Sequence, residues 1–208
     1  MNKTKYVWYE KTYLKTEAVD YHRSKNRYEL LKRNIRNIYP KIKLYECDAY
    51  WRVSQQYLKS YHKEISFSRL QLKSLAKKLD KNMSKGLWHG DLCFSNIGFD
   101  ERQNILLYDW EINLECLENG RYNLRTTPYC LHPVDEKNNC ISDLSDKFGF
   151  AALAIISCHD YSWRSCLSFM PGIKLKVADF INNISDFSYV KLVDEIIYNF
   201  DNTNLFKG

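Results

Sequence analysis

The sequence predicts an α+β fold in which strands dominate the first part of the chain and helices dominate the rest. Three observations support this prediction. Runs rich in Tyr, Val, Trp and Ile occur before residue 58, and these residue types favour strands. In later segments apolar residues recur at helical intervals. All seven glycines of the 208-residue chain lie from Gly86 onward, so the first part has no glycine-rich turn.

The N-terminal part is predicted to contain three strands and one helix. The run 5–14, KYVWYEKTYL, indicates a strand that projects Lys11 from a largely apolar face. Two further runs, KIKLYEC and YWRVSQQYL, indicate a strand pair. Residues 16–37 indicate a helix that Thr16 could cap. The apolar residues of this helix at helical intervals are Val19, Tyr28, Leu31 and Ile35.

The second part is predicted to be mainly helical. The segment FSRLQLKSLAKKLDKNM indicates an amphipathic helix. The leucines expected near its buried side are Leu70, Leu72, Leu75 and Leu79. After Asp146, the segment KFGFAALAIISC is apolar nearly all round, which is typical of a helix buried on most sides. The last element, SYVKLVDEIIYNF, has an apolar stripe made of Tyr189, Leu192, Val193, Ile196 and Phe200.

Composition narrows the class of protein. The chain has 31 Lys plus Arg against 25 Asp plus Glu, and this excess suits nucleic acid, an anionic nucleotide or an anionic surface. No motif of the RRM or helix-turn-helix type supports nucleic acid. Seven cysteines without a C-x-x-C pair favour a reducing compartment. No stretch has the length of a membrane span, and the N-terminus lacks a signal peptide's apolar region. We therefore expect a cytoplasmic protein, with delivery into another cell left open.

The stretch 87–111, LWHGDLCFSNIGFDERQNILLYDWE, carries the residue types that phosphoryl transfer needs. That reaction needs a carboxylate to accept or orient a proton, and oxygen ligands for a Mg²⁺ ion that bridges the phosphates. Asp91 lies two residues after His89 and five before Asn96. Asp109 follows an apolar strand, thirteen residues after Asn96. The alternative is a set of turn-forming polar residues around two strands joined at DERQ.

The joint pattern H-G-D-x-x-x-x-N followed by D-W-E resembles the catalytic centre of the protein-kinase-like superfamily, which includes aminoglycoside and choline phosphotransferases. The resemblance implies ATP and Mg²⁺ as cofactors. It implies that Asp91 is the catalytic base, that Asn96 and Asp109 are metal ligands, and that His89 anchors the loop. It also implies a two-lobed fold.

The resemblance extends to both sides of the stretch. It implies a reduced N-terminal lobe over residues 1–58 and a mainly helical C-terminal lobe over 59–208 that carries the site. In the N-terminal lobe, Lys11 paired with Glu29 would hold the nucleotide phosphates. The alternatives for these two roles are Lys15 and Glu17.

Downstream, RTTPYCLHPVDE resembles the end of a kinase activation segment. Val134 stands where the superfamily usually has a glutamate, so Asp135 or Glu136 would have to replace it in a buried ion pair. Asp146 matches the aspartate that begins the buried central helix. Each of these residues extends the resemblance beyond the stretch itself.

One feature of the superfamily is missing. Only ten residues precede Lys11 and none is glycine, so we expect the glycine-rich loop that normally covers the phosphates to be missing. The alternatives are a minimal kinase without a cover, a kinase completed by a partner chain that supplies a lid, and a pseudokinase that serves as a binding module. The intact base and metal ligands favour an enzyme.

The substrate also has two alternatives. The long segment between Asp109 and Asp146, about 37 positions, favours a protein Ser/Thr hydroxyl. The forms HGD and DWE, with Cys93 where protein kinases carry a lysine, favour a sugar, glycan or other small alcohol.

Overall fold

The structure is a computed structural model that describes residues 8–15, 25–26, 28–29, 31–33, 38–56, 59–60, 67–100, 102–110, 122–123, 131–158 and 171–199. Within these ranges small antiparallel sheets stand beside helices. The predicted α+β class is therefore confirmed.

The N-terminal strands form a three-stranded antiparallel sheet. Strand β1 (Trp8–Leu14), strand β2 (Ile42–Glu46) and strand β3 (Tyr50–Gln56) lie in the order β1-β3-β2. Lys11 of β1 is opposite Val53 of β3, and Val53 is buried. The predicted strand and strand pair are thus confirmed for these residues, while positions 5–7 and 57–58 of the predicted strands lie outside the described residues.

A helix, α1, packs against this sheet. The described residues between 25 and 33 are helical, and Tyr28 and Leu31 are buried. The Tyr28 ring lies 5.6 Å from the ring of Trp51, which is also buried, and aromatic pairs at this distance attract each other. The predicted helix is confirmed for these residues. Its other predicted positions, Thr16, Val19 and Ile35, lie outside the described residues.

Two short strands carry the centre of the stretch 87–111. Strand β4 (Lys59–Ser60) pairs with β5 (Ile97–Phe99), and β5 pairs with β6 (Ile105–Leu107). The Asp100 carboxylate accepts bonds from the backbone N–H groups of Arg102 and Asn104, both at 2.8 Å. This closes the turn at DERQ and confirms the predicted hairpin.

Five helices and a small strand pair complete the described part. The helices are α2 (Arg69–Met83), α3 (Pro133–Lys137), α4 (Asp143–Cys158), α5 (Pro171–Asn182) and α6 (Tyr189–Asn199). Strand β7 (Tyr122–Asn123) pairs with β8 (Cys140–Ile141). None of the helices in the described ranges has the length and apolarity needed to cross a bilayer.

Helix α4 is the centre of the helical core. Its residues 148–156 are all buried, as their apolar composition predicted, and both α5 and α6 pack on it. The predicted stripe of α6 is buried at Tyr189, Leu192, Val193 and Ile196, while Phe200 lies outside the described residues. Asp80 of α2 accepts the backbone N–H of Tyr189 at 2.6 Å and so caps α6.

One prediction for α2 is wrong. Leu72, Leu75 and Leu79 are buried, but Leu70 is 81% exposed. Each helical residue turns by about 100°, so Leu70 lies roughly 200° from Leu72 and faces away from the core. The helix begins with a capping box between Ser68 and Gln71.

Candidate active site

The loop between α2 and β5 brings Asp91 and Asn96 together. A short 3-10 turn, Phe94–Asn96, returns the chain toward Asp91. The side-chain Nδ2 of Asn96 donates to Asp91 Oδ2 at 2.8 Å and to the Asp91 backbone carbonyl at 2.9 Å. Asp91 and Asn96, five residues apart in the sequence, are therefore in direct contact, and this contact orients the Asp91 carboxylate.

His89 anchors this loop from inside the protein. Its ring is fully buried and lies 4.8 Å from the ring of Trp110. Nδ1 accepts the backbone N–H of Asp91 at 3.1 Å, so the ring proton is on Nε2, which donates to the Tyr108 carbonyl at 2.9 Å. Burial lowers the pKa of His89 to about 4, against the opposing effect of Asp91. The neutral ring thus joins the loop to the chain beside Asp109.

Asp146 holds the backbone of the same loop. It is fully buried at the start of α4, and its two carboxylate oxygens accept the N–H groups of His89 and Gly90, the second at 2.8 Å. Gly90 has φ +84°, a conformation that glycine adopts without strain. Burial raises the pKa of Asp146 to about 7, although the two N–H bonds oppose the rise.

Sequence reasoning matched Asp146 to the start of a helix but did not foresee these bonds. One feature of the sequence could have predicted them: a carboxylate begins a helix whose following residues are almost all apolar. Because such a helix is buried, its carboxylate must find hydrogen-bond donors inside the protein.

Helix α4 also contacts the loop through Gly149. A Cβ atom at this position would lie 2.2 Å from the backbone oxygen of Leu92. Backbone atoms cannot yield as a flexible side chain would, so the loop reaches its position only because residue 149 has no side chain.

We expect Gly149→Ala to destabilise the fold by about 1 to 3 kcal/mol, the usual cost of overpacking a core. The free energy of unfolding in urea measures this loss. Ser74→Ala, on the exposed side of α2, is the helical control and should change it little. Equal stability of Gly149→Ala and wild type would show that the loop does not need this close approach.

Asp109 projects from an unusual backbone conformation after β6. Its φ is +54°, in the left-handed region that non-glycine residues rarely adopt. The residues on either side are held: the Tyr108 N–H donates to the Asn96 carbonyl at 3.0 Å, and Trp110 Nε1 donates to the Leu107 carbonyl at 3.0 Å. These bonds place Asp109 beside the Asn96 backbone.

Lys11 reaches the site from β1. Its Nζ lies 3.2 Å from Asp109 Oδ1, although the two residues are 98 positions apart. Both side chains are partly exposed, so the contact itself contributes little stability. It does place an ammonium group of the N-terminal sheet against the carboxylate predicted to hold a metal.

The other predicted phosphate-site residue, Glu29, lies on α1. Its carboxylate forms an ion pair with the Arg33 guanidinium, one helical turn away, at 4.0 Å. The predicted pairing of Lys11 with Glu29 stays a prediction. The alternative Lys15 lies at the end of β1, 3.2 Å from Glu46, while Glu17 lies outside the described residues.

Asn96 and Asp109 are chemically suited to Mg²⁺. The Asn96 amide nitrogen is bonded to Asp91, so its oxygen is the atom it would offer a cation, and Asp109 offers carboxylate oxygen. Magnesium prefers oxygen ligands and often takes only one or two from the protein, with water and phosphate oxygens completing the set. Within the described residues, no group of three or more His, Cys, Asp or Glu side chains is placed to hold a metal ion, either here or elsewhere.

The end of the predicted activation segment contains a buried carboxylate. Val134 is exposed, whereas Asp135 is fully buried and accepts bonds from the Ser142 hydroxyl at 2.8 Å and the Ser145 hydroxyl at 2.7 Å. Glu136 instead pairs with Lys174 at 2.5 Å. Of the two predicted replacements for the glutamate, Asp135 has the buried position, and hydroxyl groups bind it.

His89 and Asp146 should make the stability of the fold depend on pH in opposite directions. Unfolded histidine binds a proton below about pH 6.5, but buried His89 resists protonation down to about pH 4, so its contribution is lost as pH falls between these values. Buried Asp146 takes up a proton near pH 7, whereas an unfolded aspartate does so near 3.8, so its contribution is lost as pH rises through 7.

We expect single variants to separate the two effects. From pH 7 to pH 4, the stability difference between wild type and His89→Gln should shrink, and that between wild type and Asp146→Asn should grow, each by at most about 1.4 kcal/mol per pH unit. Urea unfolding at a series of pH values measures both slopes. Slopes of the same sign would contradict the assigned protonation states.

Comparison with known proteins leaves the family open. No protein-family model matches the chain, and no curated protein matches it.

Proposed function

We propose that this protein transfers the γ-phosphoryl group of ATP to a hydroxyl group in a Mg²⁺-dependent reaction. The observation that carries the proposal is the contact of Lys11 with Asp109 next to the bonded pair Asp91 and Asn96. In the proposal, an ammonium group, two carboxylates and an amide oxygen surround one site. These are the groups that phosphoryl transfer uses for positioning and charge stabilisation.

Each residue has a separate role in the proposal. Asn96 and Asp109 would hold Mg²⁺, which when bound neutralises charge on the phosphate oxygens. Lys11 would bind the nucleotide phosphates, supported by Glu29 as predicted. Asp91 would accept or orient the proton of the acceptor hydroxyl, with its carboxylate held by the Asn96 amide. His89 and Asp146 position the loop and do not touch the substrate.

The proposal includes a two-lobed, protein-kinase-like arrangement. The sheet β1-β3-β2 with α1 would be the reduced N-terminal lobe, to about residue 58, and residues 59–208 the C-terminal lobe. The Leu107 N–H donates to the Ile38 carbonyl at 2.8 Å, which joins the strand before Asp109 to the chain before β2. This bond and the Lys11 contact support a site between the two parts.

The proposed acceptor is a protein Ser/Thr hydroxyl, on the length of the segment between Asp109 and Asp146. The second candidate is a small alcohol, sugar or glycan. The position of Cys93 favours it, because the thiol is buried and lies 2.9 Å from the Ser95 hydroxyl. An uncharged, inward-facing side chain at this point cannot steady a transferred phosphate. We propose the cytoplasm as the site of the reaction.

The test measures transfer of labelled γ-phosphate from ATP by the purified protein. The acceptors are the proteins of a cell lysate and, separately, small alcohols. Each reaction is run with Mg²⁺ and with EDTA. Labelled protein in lysate supports a protein kinase, and a labelled alcohol supports the second candidate. Both signals should vanish with EDTA and in Asp91→Ala and Asp109→Ala.

The same experiment separates two non-standard alternatives. Binding of Mg²⁺ and ATP without transfer, restored by adding lysate, supports a kinase completed by a partner chain that supplies a lid. If the folded protein shows neither binding nor transfer, the enzyme proposal fails and a pseudokinase binding module takes its place.

A further inference from the structure

Helix α2 carries a line of basic side chains on the side opposite its buried leucines. Arg69, Lys73, Lys77 and Lys81 follow each other at four-residue intervals, which puts them on one face over about 18 Å. We call these four residues the basic stripe. Arg69, Lys77 and Lys81 are exposed, and Lys73 is partly buried.

Within the part of the chain that the structure describes, the basic stripe is only partly neutralised. Lys73 pairs with Asp194 of α6 at 2.6 Å. The single acidic residue within α2, Asp80, is engaged instead in capping α6. Like charges at four-residue spacing destabilise a helix, and an acidic residue between them would relieve this. The arrangement therefore favours an anionic partner from outside the chain.

Two exposed apolar side chains accompany the stripe. Leu70 lies on the same helical face as Lys77 and Lys81 and is 81% exposed, the highest exposure among the large hydrophobic residues described. Tyr198 of α6 is 65% exposed, and the Lys73 ammonium lies 5.5 Å from the centre of its ring. The lysine covers one face on which a nucleic-acid base would stack.

We propose that the basic stripe, with Leu70 and Tyr198, docks this protein on a membrane surface rich in anionic phospholipid. Lysine and arginine bind anionic headgroups, tyrosine is typical of the interface, and an exposed leucine can enter the boundary of the acyl chains. This surface lies on a different element from Asp91 and Asp109, so the proposal does not depend on the proposed reaction.

The test is flotation of the full chain with phosphatidylcholine vesicles that contain or lack phosphatidylserine. Binding should require phosphatidylserine and weaken with salt. The double variant Lys77→Glu with Lys81→Glu should lower the partition coefficient by about 25-fold, since each lysine lost costs roughly fivefold. Leu70→Ser should weaken binding while leaving the salt dependence unchanged.

The matched control is Lys137→Glu with Lys176→Glu, which makes the same change of net charge at exposed positions on α3 and α5. This control should keep binding close to wild type. An equal loss in the control would overturn the proposal in favour of general charge attraction. Binding to a single-stranded oligonucleotide that needs Lys77 and Lys81, without vesicle binding, would overturn it in favour of nucleic acid.

Discussion

Asp91→Asn is expected to lower the rate of phosphoryl transfer by about 10²-fold to 10⁴-fold, while affinity for ATP with Mg²⁺ stays close to wild type. The replacement keeps the size of the side chain and an oxygen that can accept the Asn96 amide, so the loop should keep its shape. What is lost is the carboxylate that accepts or orients the proton of the hydroxyl. Single-turnover transfer and nucleotide titration measure the two quantities separately.

Asp109→Asn should act mainly on nucleotide affinity, whereas Asp91→Asn acts mainly on the rate of transfer. It removes the negative charge that faces Lys11 and would hold Mg²⁺, so nucleotide affinity should fall in the presence of Mg²⁺ and change much less in EDTA. Asp179→Asn, at an exposed position on α5, is the matched control. If Asp91→Asn and Asp109→Asn both behaved like this control, the two carboxylates would not form the site.

Asp146→Ala is expected to have the largest effect on stability, a loss of about 3 kcal/mol or more in the free energy of unfolding. The change leaves the buried N–H groups of His89 and Gly90 without their acceptor, and each unsatisfied donor costs about 1 to 3 kcal/mol. Since the same bonds hold the loop with Asp91, activity per folded molecule should also fall.

The control for this variant lies on the same helix. Asp143→Ala removes a partly exposed carboxylate that pairs with Lys147 at 2.7 Å, and surface pairs of this kind contribute roughly 0 to 1 kcal/mol. Urea unfolding and transfer assays on both variants make the comparison. Similar losses for Asp143→Ala and Asp146→Ala would mean that the loop is held by packing alone.

The sequence predicted local structure best where a strong periodicity or spacing was present. The hairpin at DERQ, the buried helix after Asp146 and the pairing of KIKLYEC with YWRVSQQYL all follow from neighbouring residues, and all are confirmed. The contact of Asp91 with Asn96 is also short-range, since one 3-10 turn closes it. Leu70 was misplaced because its apolar character was weighed without its angular position on α2.

By itself, then, the sequence determined the α+β class, the main elements and the spacing of His89, Asp91, Asn96 and Asp109, because these depend on residues close together in the chain. Only the tertiary structure decided that Asp146 binds the loop backbone and that Lys11 meets Asp109. These contacts span 56 and 98 positions. Packing of whole elements creates them. Burial of α4 brings the Asp146 carboxylate to the N–H groups of His89 and Gly90, and the order β1-β3-β2 places Lys11.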